Sequence, residues 1–193
     1  VFGGDVHAVY RFTEARPRII TVNQRVVDPE PAKQGSSGSL VPVDPGLSDF
    51  EPQARVLHRQ RMEGPRLEDA RVVVSGGLGL QDQVNYVYIE ELAETLGGLP
   101  GASRGIVDAH WVTSAQQVGL TGKVVTPDLY VAVGISGAGK HMAGCCASKG
   151  IVAINEDTHA SIFRYAKYGI ATDCLTFLPI MIEESKKFMA KTD

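Results

Sequence analysis

A series of short turns carries the residues best suited to chemistry: Gly101-Ala102-Ser103-Arg104, Val118-Gly119-Leu120-Thr121-Gly122-Lys123, Gly134-Ile135-Ser136-Gly137-Ala138-Gly139-Lys140-His141 and Ile154-Asn155. Small residues in such turns let a ligand approach the backbone, and the helix starts that follow them favour anionic phosphate. Arg104 and His141 place basic side chains inside the turns, where they can touch a charged or redox-active ring. This combination reads as a nucleotide-cofactor site.

Each residue also has a plainer reading. Gly134 to Lys140 nearly matches a phosphate-binding loop, G-x-x-x-x-G-K-[ST], but His141 stands where a hydroxyl should hold Mg²⁺. The following apolar run, Ile151–Ile154, ends in Asn155 and not in a carboxylate, which argues against nucleotide hydrolysis. Ser75-Gly76-Gly77-Leu78-Gly79 lacks the G-x-G-x-x-G spacing, and a tight turn explains it equally well. His141 alone reads as a structural helix residue, Arg104 as an ion-pair partner, Thr121 as a turn residue and Asp173 as a helix cap. His7, His58, His110 and His159 share no spacing and receive no chemistry. No Ser-His-Asp order, paired-carboxylate motif or zinc pattern stands out.

The elements that must position these turns follow from periodicity. Ala70–Ser75, Leu129–Val133, Ile151–Ile154 and Tyr168–Thr172 read as apolar strands, and a further short strand leads into Gly101. Val84, Tyr88, Leu92 and Leu96 recur at helical spacing until Gly97-Gly98. A brief helix through Ile106 and Val107, a small-residue helix at Met142 to Cys146, a helix at Ile162–Ala166 and a closing amphipathic helix at Phe177–Met189 complete the pattern. The alternation predicts an α/β fold: a three-layer, Rossmann-like parallel sheet with helices on both faces. Ligands of such sheets bind at the C-terminal strand ends, where these turns lie.

Residues 1–27 read as a short β arm, with extended segments Phe2–Phe12 and Arg18–Asn23, left over from a preceding domain. Residues 28–65 have linker composition, with five prolines between Pro29 and Pro52, and residues 66–193 form the cofactor domain. The chain opens at Val1 within an apparent strand, which suggests a piece of something longer. Composition is ordinary, with 44% apolar and 21% charged residues. The net charge of −3 gives no reason to expect nucleic acid. No apolar run is long enough to insert in a membrane. Cys145, Cys146 and Cys174 have no metal-ligand spacing and read as reduced thiols.

Taken in order, Ser75-Gly-Gly-x-Gly-Leu80, Gly101-Ala-Ser-Arg104 with Val107-Asp108-Ala109, Gln117-Val-Gly-x-Thr-Gly-Lys123, Pro127 to Ala138 with His141, Ile151 to Asn155, and Tyr168-Gly-Ile170 with Asp173 resemble the alpha subunit of electron transfer flavoproteins. The resemblance covers about residues 70–185, and Phe2-Gly-Gly4, Arg16-Pro17 and Thr21-Val22 are similar to the end of that family's first domain. It implies FAD as cofactor and a heterodimer with a beta subunit. It also implies electron transport from acyl-CoA or other flavin dehydrogenases, as in fatty acid beta-oxidation, to a quinone oxidoreductase. The location would be the cytoplasm in a bacterium or archaeon and the mitochondrial matrix in a eukaryote. On this resemblance the chain is an electron carrier, not a substrate-converting enzyme.

Carried over by position, the FAD contacts are Leu78, Ser103, Arg104, Val118, Gly119, Leu120, Thr121, Ser136, Gly137, Ala138, Gly139, Lys140, His141, Asn155, Asp173 and Cys174. Arg104 would lie over the flavin ring, where a fixed positive charge favours the anionic reduced forms and raises the potential. His141 would add charge near the pyrimidine edge, and Thr121 would bond near N5 and O4. The turn at Ser136–Lys140 and the first Gly-rich turn would hold the dinucleotide, with Asn155 and Asp173 on its adenosine half.

Three positions depart from the family pattern: Leu78 replaces an Arg, Leu120 replaces a Gln, and Cys174 replaces an apolar residue. The first two imply weaker FAD binding or a flavin tuned for another partner. They keep a second reading open, a cofactor-poor paralogue acting as an assembly partner. A nucleotide-dependent enzyme on the same sheet is the third.

Overall fold

The computed structural model describes residues 64–191 continuously, with the short stretches 8–13, 17–21, 38–44, 46, 54 and 56–59. The chain divides into two compact units, one of Val1–Arg11 with Pro65–Asp193 and one of Phe12–Gly64. Within the smaller unit the Arg18 guanidinium sits 5.8 Å from the Phe12 ring centroid, and the Gly46 N–H donates to Asp44.

The expected strands Phe2–Phe12 and Arg18–Asn23 fall partly outside the described residues. Over 8–13 and 17–21 no strand forms and the residues are exposed, which corrects the expected β arm there. β-rich composition does not suffice: an isolated strand pair is marginal in water without a sheet or helix to pack on.

The larger unit is built on five parallel strands, β1 (Val72–Gly76), β2 (Leu99–Ala102), β3 (Leu129–Val133), β4 (Ile151–Asn155) and β5 (Tyr168–Ala171), in the order β2-β1-β3-β4-β5. The helices are α1 (Val87–Thr95), α2 (Arg104–Asp108), α3 (Gly139–Met142) and α4 (Cys174–Met189). The chain steps from β1 outward to β2, returns past β1 to β3, and continues outward through β4 and β5. The direction reverses between β1 and β3, so the ends of those strands flank the crevice where such sheets take ligands.

Alternate strand residues divide between two cores. Val74, Val131, Val133 and Ile154 pack with Ile89 and Leu92 of α1 and Leu178 and Ile182 of α4. Val73, Tyr130, Ala132 and Ala153 pack with Val118, Met142, Cys145 and Ile162. Each Val, Leu or Ile side chain among them stabilises the fold by about 1.5–3 kcal/mol on full burial.

The second face is covered by shorter elements than periodicity suggested. α3 is a single turn where a longer small-residue helix was expected, and Ser161–Arg164 is a 3₁₀ turn where an α-helix was expected. Small residues have another use here: Gly144 packs backbone to backbone on Gly119.

α1 is preceded by a 3₁₀ turn, Gln83–Tyr86, whose cap Asp82 accepts from the Val84 N–H at 3.0 Å. It ends at Gly97, whose φ of 64° suits a left-handed C-terminal cap. α4 starts three residues before Phe177 because Asp173 caps it, accepting from the Leu175 and Thr176 N–H groups at 3.1 and 3.2 Å.

Candidate cofactor site

The turns singled out in the sequence meet at the C-terminal edge of the sheet, tied by backbone hydrogen bonds. After β2 the Ser103 N–H donates to the Gly76 carbonyl at 2.9 Å. The Val118 N–H donates to Ala102 at 2.9 Å, and the Leu120 N–H donates to Lys140 at 2.7 Å. Residues far apart in sequence thus form one continuous wall, Ser103-Arg104, Val118 to Thr121 and Ser136 to His141.

Glycine at 119 permits this closeness. Its φ is 143°, and a Cβ there would meet the Lys140 carbonyl oxygen at 3.0 Å. On the outward side Ser136, Ala138, Gly139 and Lys140 are exposed, and a Cβ on Gly139 would meet nothing within 4 Å. Gly137, with φ 82°, seats the turn on the backbone of Ile162, whose N–H donates to the Ser136 carbonyl at 3.0 Å.

Thr121 is exposed, and its Oγ1 accepts from the buried Gln117 Nε2 at 3.0 Å. That bond occupies the hydroxyl as acceptor and leaves its hydrogen to point at a ligand. Arg104 is exposed at the first turn of α2, with its Nε 3.1 Å from Asp108 Oδ2. Leu78 is also exposed, and lies against Gly105, next to Arg104.

His141 departs from the expected cationic role. Only 8% of it is exposed, and its Nε2 lies 2.9 Å from the Tyr130 hydroxyl. Burial lowers its pKa to about 4, opposed in smaller part by the Val118 backbone carbonyl. The ring is therefore neutral near pH 7 and supplies a hydrogen-bonding edge, not a charge. Its Nδ1 is buried with no hydrogen-bond partner.

The first Gly-rich turn is likewise not an open cradle. The Gly77 N–H donates to Val133 at 2.9 Å and the Gly79 N–H to Gly134 at 3.0 Å. A Cβ on Gly79 would lie 2.6 Å from Gly134 Cα, so these glycines serve close packing of β1 on β3.

Four other expected contacts have side chains committed within the chain. Val118 is in the core. Cys174 is buried, and its Sγ donates to the Gly79 carbonyl at 3.2 Å. Asp173 spends its carboxylate on the α4 cap and the Thr176 hydroxyl, which hold its pKa below the usual carboxylate range. Asn155 is tethered at both ends: its Nδ2 donates to the Ile135 carbonyl at 2.9 Å and its Oδ1 accepts from the Asp157 N–H.

Sequence reasoning missed Tyr130, Ser75 and Gln117. Tyr130 sits in an apolar strand and reads as core, so no local signal marks its hydroxyl. Among the described residues no group of three His, Cys, Asp or Glu is placed to hold a metal, and no helix is long and apolar enough to cross a membrane.

Residues 66–146 match the electron transfer flavoprotein FAD-binding domain. Over those residues the chain is similar to that family. The chain is 40% identical over 188 residues to the electron transfer flavoprotein subunit alpha of Thermoanaerobacterium thermosaccharolyticum, covering 96% of this chain and 57% of that protein. It is 45% identical over 151 residues to the Bacillus subtilis subunit alpha, covering 78% and 46%. With the mitochondrial subunit alpha of Arabidopsis thaliana it shares 40% over 191 residues, covering 95% and 53%. The chain thus spans about half the length of these curated relatives.

FAD suits the wall in the residues the wall offers. Gly139 opens on free space, and the buried Nδ1 of His141 lacks a partner. Exposed Thr121, Ser136, Lys140 and Arg104 supply the polar and basic side chains that a dinucleotide requires.

Proposed function

We propose that this chain is the FAD-binding part of an electron transfer flavoprotein alpha subunit, an electron carrier and not a substrate-converting enzyme. The carrying observation is the wall closed by Leu120 on Lys140 and by Val118 on Ala102, which gathers the basic, small and hydroxyl residues at the switch point of the sheet. Residues 66–193 serve as the FAD domain, 28–65 as a linker and 1–27 as the end of a preceding domain.

Ser103, Arg104, Gly119, Leu120, Thr121, Ser136 to His141 and Asn155 hold the cofactor in this reading. Val118, Asp173 and Cys174 act through the backbone they fix. Bound FAD supplies reversible electron acceptance. Arg104 brings the positive charge to the site, Thr121 a hydroxyl donor oriented by Gln117, and His141 a neutral imidazole edge.

The partners are a beta subunit in a heterodimer, acyl-CoA or other flavin dehydrogenases as donors, and a quinone oxidoreductase as acceptor. The compartment is the bacterial or archaeal cytoplasm, or the mitochondrial matrix in a eukaryote. The test is the visible spectrum of the chain alone and co-expressed with its beta subunit, followed by release and identification of flavin. Stoichiometric FAD in the complex supports the reading, and a folded complex without flavin overturns it.

One observation favours the assembly-partner alternative. Leu78 and Leu120, exposed at 59% and 63%, place apolar surface beside the wall where the resemblance puts polar side chains. A heterodimer that assembles without absorbance at about 450 nm would select that alternative.

A further inference from the structure

Asp108 carries a charge in the α2 motif and has no part in the cofactor reading. α2 begins at Arg104 and ends at Asp108, which places the two side chains on one face, a turn apart. The Arg104 Nε–H donates to Asp108 Oδ2 at 3.1 Å, and both side chains are exposed. Both line an open basin of about 870 Å³ beside the helix, together with His110, Trp111 and Thr113. Among the described residues neither has another ion-pair partner.

Helix stability does not account for the pair. A cation at the first residue and an anion at the last each sit at the helix end that disfavours them. Arg before Asp is also the weaker order for a pair four apart, and an exposed pair adds little to stability in any order. What the pair changes is the field that Arg104 projects. A lone guanidinium acts as a point charge. One with a carboxylate against it acts as a dipole, whose pull on a third charge falls off faster with distance. Lys123, in the turn after Val118, is matched in the same way by Glu68 at 3.1 Å.

We propose that Asp108 sets the charge of the wall: its carboxylate offsets Arg104, so that the site holds negative charge on its ligand less strongly than an unpaired guanidinium would. This role rests on the cofactor reading above. Asp108 needs no contact with the ligand, because it acts through the field of the pair. The negative charge in question lies on the diphosphate of FAD or, after reduction, on its ring, and the two can be measured separately.

The experiment compares wild type with Asp108→Asn in the full chain with its beta subunit. Asparagine keeps an oxygen for the Arg104 Nε–H and removes the charge. Fluorescence titration with oxidised FAD, whose ring is neutral, reads the diphosphate. The midpoint potential of the bound flavin reads the ring. Asp108→Asn is expected to tighten oxidised FAD about threefold at low salt, or to raise the potential, and either gain should shrink with added salt.

Asp108→Glu keeps the charge and is expected to show neither gain. Unchanged affinity together with unchanged potential in the folded Asp108→Asn complex overturns the proposal. So does a gain that Asp108→Glu reproduces, since it would follow side-chain shape and not charge. A purely structural role would move the unfolding temperature and leave the salt dependence and the potential where they are. A wild-type complex that takes up no FAD removes the cofactor reading itself, and that failure is seen before any variant is compared.

Discussion

Gly79 and Gly134 meet backbone to backbone. The Gly79 N–H donates to the Gly134 carbonyl at 3.0 Å, and a Cβ on Gly134 would lie 2.8 Å from Gly79 Cα. This contact joins the ends of β1 and β3, the strands that flank the switch point, and sets the base of the wall. Gly134 also has φ 61°, where a side chain is strained. Gly134→Ala is therefore expected to destabilise the domain by about 2–4 kcal/mol, from crowding and left-handed backbone together. Urea denaturation checks it, and a change below about 1 kcal/mol would show that the turns tolerate separation.

Burial of His141 links stability to pH. Its pKa falls from the ordinary 6.5 to about 4 on folding. Between those values the unfolded chain binds the extra proton, so stability from this residue is complete above pH about 6.5 and declines as pH falls towards about 4. His141→Gln is expected to flatten that part of the stability profile. Denaturant midpoints measured across the acidic range compare the two chains, and parallel profiles would mean that the imidazole takes up its proton equally well in the folded and unfolded chains.

Asp173 has the same sign by another route. The Thr176 hydroxyl and the Leu175 N–H hold its carboxyl below the usual range, so its contribution is present above the ordinary carboxylate pKa and lost as pH falls through the lowered one. Asp173→Ala is expected to lower the unfolding temperature at neutral pH, with the gap to wild type closing in acid. A gap that appears only when FAD is present would instead make this a ligand residue.

These cases show what the sequence made legible. The apolar strands Leu129–Val133 and Ile151–Asn155 stood out by burial on both faces, and their turns marked the site. Asp173 was read both as a cap and as a ligand residue, and only the geometry shows the cap. The role of Tyr130 was invisible because a hydroxyl inside an apolar run carries no periodic signal, and Ser75 and Gln117 were read only as the first residues of their motifs. The bond from Cys174 to Gly79 joins residues 95 apart and depends wholly on how α4 returns to the sheet.

The three thiols should separate by reactivity. Burial raises the Cys145 pKa to about 12 and also raises that of Cys174, and both are buried, whereas Cys146 is half-buried. Since the thiolate is the nucleophile, Cys146 is expected to alkylate first in the folded protein. Cys145 and Cys174 should follow only on unfolding. Mass-resolved labelling kinetics at pH about 8 test this, and early labelling of Cys174 would mean that α4 detaches from the Gly79 turn.

Leu78 offers the sharpest test of the wall as an anion-binding surface. Its side chain lies on Gly105, immediately beside Arg104, whose charge is shared with exposed Asp108. A second guanidinium there would face like charge in the empty domain and opposite charge once a dinucleotide is bound. Leu78→Arg is therefore expected to leave the cofactor-free complex equal or slightly less stable, and to tighten FAD binding about tenfold, near 1.4 kcal/mol. The gain should shrink with added salt, because the new contact is exposed. Fluorescence titration at two ionic strengths reads both effects. An affinity unchanged at low salt would place the cofactor's charged part away from α2, and the polar contacts of FAD would then fall to Ser136, Lys140 and Thr121 alone.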